Sequence, residues 1–136
     1  MELAYYNKGD VFLIDMPEGE SVDPWVEDAM TMARTFLHDG LVVGCCGVTV
    51  ITPGVGYVWA VLSDTAKRMP KTSIRLIKQC IEIGRKALNL HRVQAEVRTD
   101  DPRYARFMKA LGFNIEALLE KATSTKDNLY LMVRIY

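Results

Sequence analysis

The chain has 136 residues, 49% hydrophobic and 25% charged, with 17 basic and 17 acidic side chains and a formal net charge of zero. That length fits one domain over residues 1–136, which buries roughly two-thirds of the surface its unfolded chain exposes and needs no disulfide or metal staple. The even charge balance argues against general nucleic-acid binding, which goes with a strong basic excess.

The first residues, Met1-Glu2-Leu3-Ala4-Tyr5-Tyr6, carry neither a charged leader nor an apolar core of signal-peptide length. Asp10 to Met16 is rich in strand formers and reads as a short first strand. Pro17-Glu18-Gly19-Glu20-Ser21 reads as a polar loop. Asp23-Pro24 then opens a helix: Asp caps orphan amides, Pro lacks the amide the first turn would waste, and Glu27 and Asp28 suit the helix dipole. Met30 to Leu37 can continue that helix, but Asp39-Gly40 at a bend is a strong hairpin signal. It favours strands over Met32 to Leu37 and Leu41 to Ile51. Gly44 and Gly47 weaken the second strand and mark a bulge. The run from Leu41 to Ile51 is about half a membrane span. Adjacent Cys45 and Cys46, an odd total of three cysteines and two isolated histidines (His38, His91) favour a reduced compartment over a disulfide framework or metal site. The expected location is the cytosol, or a particle packaged from it, with no membrane partner.

Thr52-Pro53-Gly54 turns into a strand over Tyr57 to Leu62. Pro70 begins a helix on which Ile74, Ile77, Ile81 and Leu88 recur at helical spacing up to Asn89. Gly84 costs this helix about 1 kcal/mol against Ala, which predicts a close packing contact there. Val93, Ala95 and Val97 alternate with polar residues as a half-buried strand. Asp101-Pro102 opens a helix that runs to Leu111 and closes at Gly112. Strands over Ile115 to Lys121 and Leu129 to Ile135, joined by a polar loop at Thr123 to Asn128, complete the chain. The expected class is a mixed α/β fold of α+β type: a mostly antiparallel sheet with helices on both faces.

The run Asp101-Pro-Arg-Tyr-Ala-Arg-Phe-Met-Lys-Ala-Leu-Gly-Phe113 resembles the C-terminal helix motif of the GNAT acetyltransferases. The strands on either side stand where that family places them. The resemblance implies N-acetyl transfer from acetyl-CoA to an amine by direct attack. It implies that the Tyr57–Leu62 strand splays from the Val93–Thr99 strand, so that unpaired backbone groups can pair with the pantetheine arm. It also implies that the following helix aims its first amides at the pyrophosphate. Carried onto this chain, the carbonyl donors are the amides of Val61 and Leu62, and the cofactor residues are Arg68, Lys71, Thr72 and Ser73. Lys67, Arg68, Lys71 and Arg75 crowd that helix start. They suit either a phosphate or a solvated basic face, and their poor fit to the helix dipole favours an anion. Glu96, on the splayed strand, is the candidate general base, ahead of Ser63 and Asp64. Cys45 and Cys46 read as small buried hydrophobes, because no histidine is placed to activate them.

The chain also departs from the family. The loop Arg/Gln-x-x-Gly-x-Gly/Ala becomes Arg68-Met69-Pro70-Lys71-Thr72-Ser73, with both glycines replaced and one amide lost at Pro70. Met108 stands where the family often has the tyrosine that protonates the departing thiolate, and it reads as core filler. Asp101 replaces an Asn at the helix start. Arg68-Met69-Pro70 and Arg106-Phe107-Met108-Lys109 resemble short GNAT-like proteins of tailed bacteriophages. That resemblance implies an alternative: a catalytically degenerate fold serving as a virion or host-interaction component, with a protein partner or as a homo-oligomer. A module that binds CoA without catalysis is a third reading. The acceptor is open between a protein terminus, an aminoglycoside and a polyamine.

Overall fold

A computed structural model describes residues 1–16 and 21–136, so the loop expected at Pro17 to Ser21 lies, except for Ser21, outside the described residues. The strands are β1 (Glu2–Tyr5), β2 (Met32–His38), β3 (Leu41–Thr52), β4 (Val55–Leu62), β5 (Arg92–Arg98), β6 (Asn114–Leu119) and β7 (Leu129–Ile135). The helices are α1 (Asp64–Lys67), α2 (Pro70–Ala87) and α3 (Pro102–Ala110). The strands form one sheet in the order β1-β2-β3-β4-β5-β7-β6. Every pairing is antiparallel except that of β4 with β5, which is parallel and is crossed by α1 and α2.

Two expectations for the N-terminal third are corrected. Asp10 to Met16 is not the first strand; β1 lies earlier, and Asp10–Leu13 forms a 3-10 turn. Local polar chemistry decides this. Gly9 adopts φ +92°, Asp10 Oδ2 accepts the Asn7 amide at 2.9 Å, and the buried Thr35 hydroxyl donates to the same oxygen at 2.6 Å. Val11 and Ile14 are buried while Phe12 and Leu13 are exposed, a spacing of three rather than two. The helix expected from Asp23 is only a 3-10 turn at Val26–Ala29, and Asp23 contributes its backbone carbonyl to Val26 rather than a side-chain cap. Glu27 is drawn away from the helix by the Tyr6 hydroxyl and by the Gly9 amide at 2.6 Å. By Thr31 the chain has joined the sheet, its amide donating to Val48 O at 3.1 Å.

From β2 onward the elements follow the expected order, with one unexpected addition, the short α1 between β4 and α2. Asp39 and Gly40 both take positive φ (51° and 77°) in the hairpin bend. The register of β2 on β3 slips between Phe36 and Leu37, opposite Gly44 and Val42, which is a bulge beside the first of the two glycines. A Cβ on Gly84 would lie 2.5 Å from Met32 Cε and 2.9 Å from Val48 Cγ2, so α2 does press on the sheet at that residue. Asp101 caps α3 through the Arg103 amide at 2.9 Å. The end of α3 explains Leu-Gly-Phe physically. Gly112 (φ +95°) donates to Lys109 O and Phe113 donates to Met108 O, a Schellman closure. The same turn buries Leu111 and Phe113 beside Met108 in the core.

Strand alternation divides the core between two faces. Cys46, Val48, Val58, Val93 and Ala95 face α2 and α3, meeting Leu76, Ile77, Ile81, Leu111 and Phe113. Cys45, Trp59 and Val61 face the other way, under Val11, Ile14 and Met30 of the segment carrying the 3-10 turns. Helical elements thus cover both faces of the sheet.

Candidate functional site

β4 and β5 pair only through Val55–Arg92, Gly56–Val93 and Tyr57–Gln94. Beyond those residues β4 stays with β3 as far as Leu62, and β5 stays with β7 as far as Arg98. The sheet therefore forks, with Val58–Leu62 on one prong and Ala95–Arg98 on the other. Hydrogen-bonding direction alternates along an antiparallel strand. Ser63 N–H donates to Val43 O at 2.9 Å, so Val61 and Trp59 also turn their backbone groups to β3. Val58, Ala60 and Leu62 turn theirs into the fork. Of the two amides expected at a carbonyl, Leu62 faces the fork and Val61 faces Cys45 across the β3–β4 ladder.

The open end of the fork meets the helices. Ser63 caps α1 by accepting the Ala66 amide at 3.3 Å, and with only 4% of its surface exposed it is a capping residue. The first intrahelical bond of α2 runs from Ser73 N–H to Met69 O, which leaves the Lys71 and Thr72 amides as donors at the helix start. Pro70 stands at the first position, where an amide would also have lacked an intrahelical partner. Ser73 is buried and its hydroxyl donates inward to Ala66 O at 2.7 Å, so this replacement of a glycine points away from the helix mouth. Lys67, Arg68, Lys71 and Arg75 are exposed, and among the described residues no carboxylate lies within ion-pair distance of them. Two amides and four free cations converge at one end of a strand edge with unpaired backbone groups. That arrangement suits an anionic head carrying an amide-bearing arm.

Glu96 is exposed on β5, on the face opposite the Val93 and Ala95 side chains. Half-buried Tyr57 stands beside it. Burial first, then the Glu96 charge, pushes the Tyr57 phenol above its ordinary range. Sequence reasoning missed this neighbour. Alternation could place Tyr57 on the face of Trp59 and Val61, but the parallel register that brings it to Glu96 has no local signal.

The remaining candidates are structural. Met108 is 8% exposed and packs in the core, where its thioether offers no proton. Burial pushes the Cys45 thiol up to about 12, and Cys46 is also raised, first by its hydrogen bond with Cys80 and then by burial. Cys80 Sγ–H donates to Cys46 O at 3.2 Å. None of these thiols is poised as a thiolate nucleophile. Among the described residues no cluster of metal-ligating side chains occurs, and no helix is long and apolar enough to cross a membrane.

Residues 11–113 match the acetyltransferase (GNAT) family. The chain belongs to that family. Solved GNAT structures share the fold. Ard1 from Thermoplasma volcanium superposes with a TM-score of 0.77 at 22% identity, over 98% of this chain and 96% of that one. A spermidine N-acetyltransferase chimera of Vibrio cholerae SpeG and hSSAT gives 0.79 at 14% identity, over 99% and 96%. Ribosomal-protein-S5-alanine acetyltransferase from Vibrio fischeri gives 0.69 at 20% identity, over 82% of this chain and 64% of that one. At such identities the likeness shows the fold alone. No curated protein sequence matches this chain. The fork is the splay expected of a GNAT fold, and GNAT members generally use acetyl-CoA as cosubstrate.

Proposed function

We propose that this chain is an acetyl-CoA-dependent N-acetyltransferase acting on an amine. The observation that carries the reading is the fork, whose open end holds the free amides of Lys71 and Thr72. The residues fit the cosubstrate. Lys71 and Thr72 amides, with the Arg68 and Lys71 side chains, hold the pyrophosphate, while Ser73 supports that turn from inside through Ala66. The edge of β4 takes the pantetheine amides, with Leu62 at its outer end, and the Ala60 amide, nearer the vertex, is the donor to the thioester carbonyl. When bound, acetyl-CoA supplies an activated acyl group; the protein supplies alignment and a place for the amine's proton. Glu96 is the general base, exposed on the prong that faces the incoming amine.

The fold neighbours named above act, by their names, on spermidine and on the alanine of a ribosomal protein. Those two kinds of amine, with an aminoglycoside, form the acceptor panel. Calorimetry should detect acetyl-CoA binding at about 1 mM or below. Thiol release should then follow with at least one acceptor, and Glu96→Gln should lower that rate by about a hundredfold. A chain that binds no acetyl-CoA would instead be a fold kept for interaction, as the phage-like Arg68-Met69-Pro70 implies. Unchanged turnover in Glu96→Gln would remove the named base and leave the transferase standing.

A further inference from the structure

The strands of the fork part at Tyr57 and Gln94, the last pair of the parallel ladder. Tyr57 shares its face with Trp59 and Val61, and Glu96 shares the same side of the sheet with Gln94, away from α2 and α3. The Tyr57 hydroxyl is close enough to Glu96 to feel both its carboxylate and its backbone N–H. That N–H points into the fork, because the ladder turns the backbone groups of Arg92 and Gln94 toward β4 and those of Glu96 follow.

Length brings the reacting end of a ligand to this place. The prong Val58–Leu62 spans about 16 Å at strand rise. A ligand whose anionic head rests on the Lys71 and Thr72 amides, with its arm along that edge, ends at the vertex beside Tyr57 and Glu96. The expected proton donor of the last helix is of no help there, since Met108 lies in the core beneath the helices.

Resting on the acetyltransferase reading above, we propose that Tyr57 and Glu96, neighbours on one face at the vertex of the fork, work as a pair in which Glu96 takes the amine's proton and Tyr57 holds the carboxylate in place. In the transfer the amine nitrogen bonds to the thioester carbonyl carbon, the C–S bond breaks with its electrons on sulfur, the amine proton passes to a Glu96 carboxylate oxygen, and water protonates the thiolate. Tyr57 is a positioning residue. With substrate in the fork, its hydroxyl is to donate to the carboxylate and so set which oxygen faces the amine. Burial keeps the phenol protonated, so it remains a donor.

Tyr57→Phe keeps the ring and removes only the donor. It should lower kcat about tenfold, the worth of one hydrogen bond to a charged group. KM for acetyl-CoA and for the amine should stay within about twofold. A second readout needs no turnover. In the ligand-free protein carrying carbon-13 at tyrosine Cζ, the Tyr57 resonance should move in Glu96→Gln, and the other tyrosines should not. An active wild type with unchanged kcat in Tyr57→Phe overturns the pair alone, as does a Tyr57 Cζ resonance indifferent to Glu96→Gln. A wild type that acetylates no amine overturns the proposed function, and the proton-handling role falls with it.

Discussion

Gly84 shows how a single hydrogen atom can hold a helix against a sheet. Helix propensity favours Ala over Gly by about 1 kcal/mol, so on local grounds Gly84→Ala should stabilise α2. Its new Cβ would meet Met32 Cε at 2.5 Å and Val48 Cγ2 at 2.9 Å. Met32 ends a flexible side chain and can swing aside. Val48 cannot: it is β-branched, fully buried and set in the middle of β3. Overpacking of this kind costs about 1–3 kcal/mol. The packing term wins, and Gly84→Ala should lower stability by about 1 kcal/mol, read as a lower urea midpoint with an unchanged slope. A raised midpoint would mean that Met32 alone makes the contact. This contact was legible as a mid-helix glycine without a local reason, although its partners were not.

At the scale of elements, β4 has two different edges. Trp59 and Val61 direct their amides to β3, while Ala60 and Leu62 direct theirs into the fork. Hydrogen exchange in the ligand-free protein should therefore alternate along the strand, with Trp59 and Val61 slow and Ala60 and Leu62 fast. Uniform protection would mean that the fork closes on itself in solution. The sequence could not predict this pattern, because an alternating apolar strand looks the same whether its edge is paired or free. It did show the elements with strong local chemistry: the Asp-Gly bend, the Asp101 cap and the Leu-Gly-Phe closure each use a turn that few residue types allow. The N-terminal third was misread where distant partners decide. Asp10 answers to Thr35 across the sheet, and Glu27 answers to Tyr6 and Gly9. Neither partner follows from local spacing. The Ser73 role was hidden similarly: its hydroxyl turns inward to Ala66 O at the α1–α2 corner, which Ser63 caps.

Over the whole molecule the sheet consists of two halves, β1 to β4 and β5 with β7 and β6, that separate at one end and are tied at the other. The tied end is dense. Gly54 O accepts the amides of His91 and Arg92 at 2.9 and 3.2 Å, and His91 O accepts the Tyr136 amide at 2.9 Å. Arg85 of α2 and Arg134 of β7 sit over the Tyr136 ring at 4.5 and 4.8 Å. At the open end, beyond Tyr57 and Gln94, the halves have no ladder between them, and on one face α2 packs on β2, β3 and β4 while α3 packs on β5. A ligand lying along β4 adds hydrogen bonds at that open end and so acts on the stability of the whole sheet. At a hundred times its Kd, acetyl-CoA should raise the unfolding free energy by about 2.7 kcal/mol, as mass action requires of any ligand specific to the folded state. Two fragments separate the parts of the site. Adenosine 3′,5′-bisphosphate carries the anionic head without the arm; it should slow exchange at Lys71 and Thr72 and leave Ala60 and Leu62 fast. Acetyl-CoA should slow all four amides. If both ligands protect only the helix start, the arm does not follow β4, and the edge left open by the fork has some other occupant.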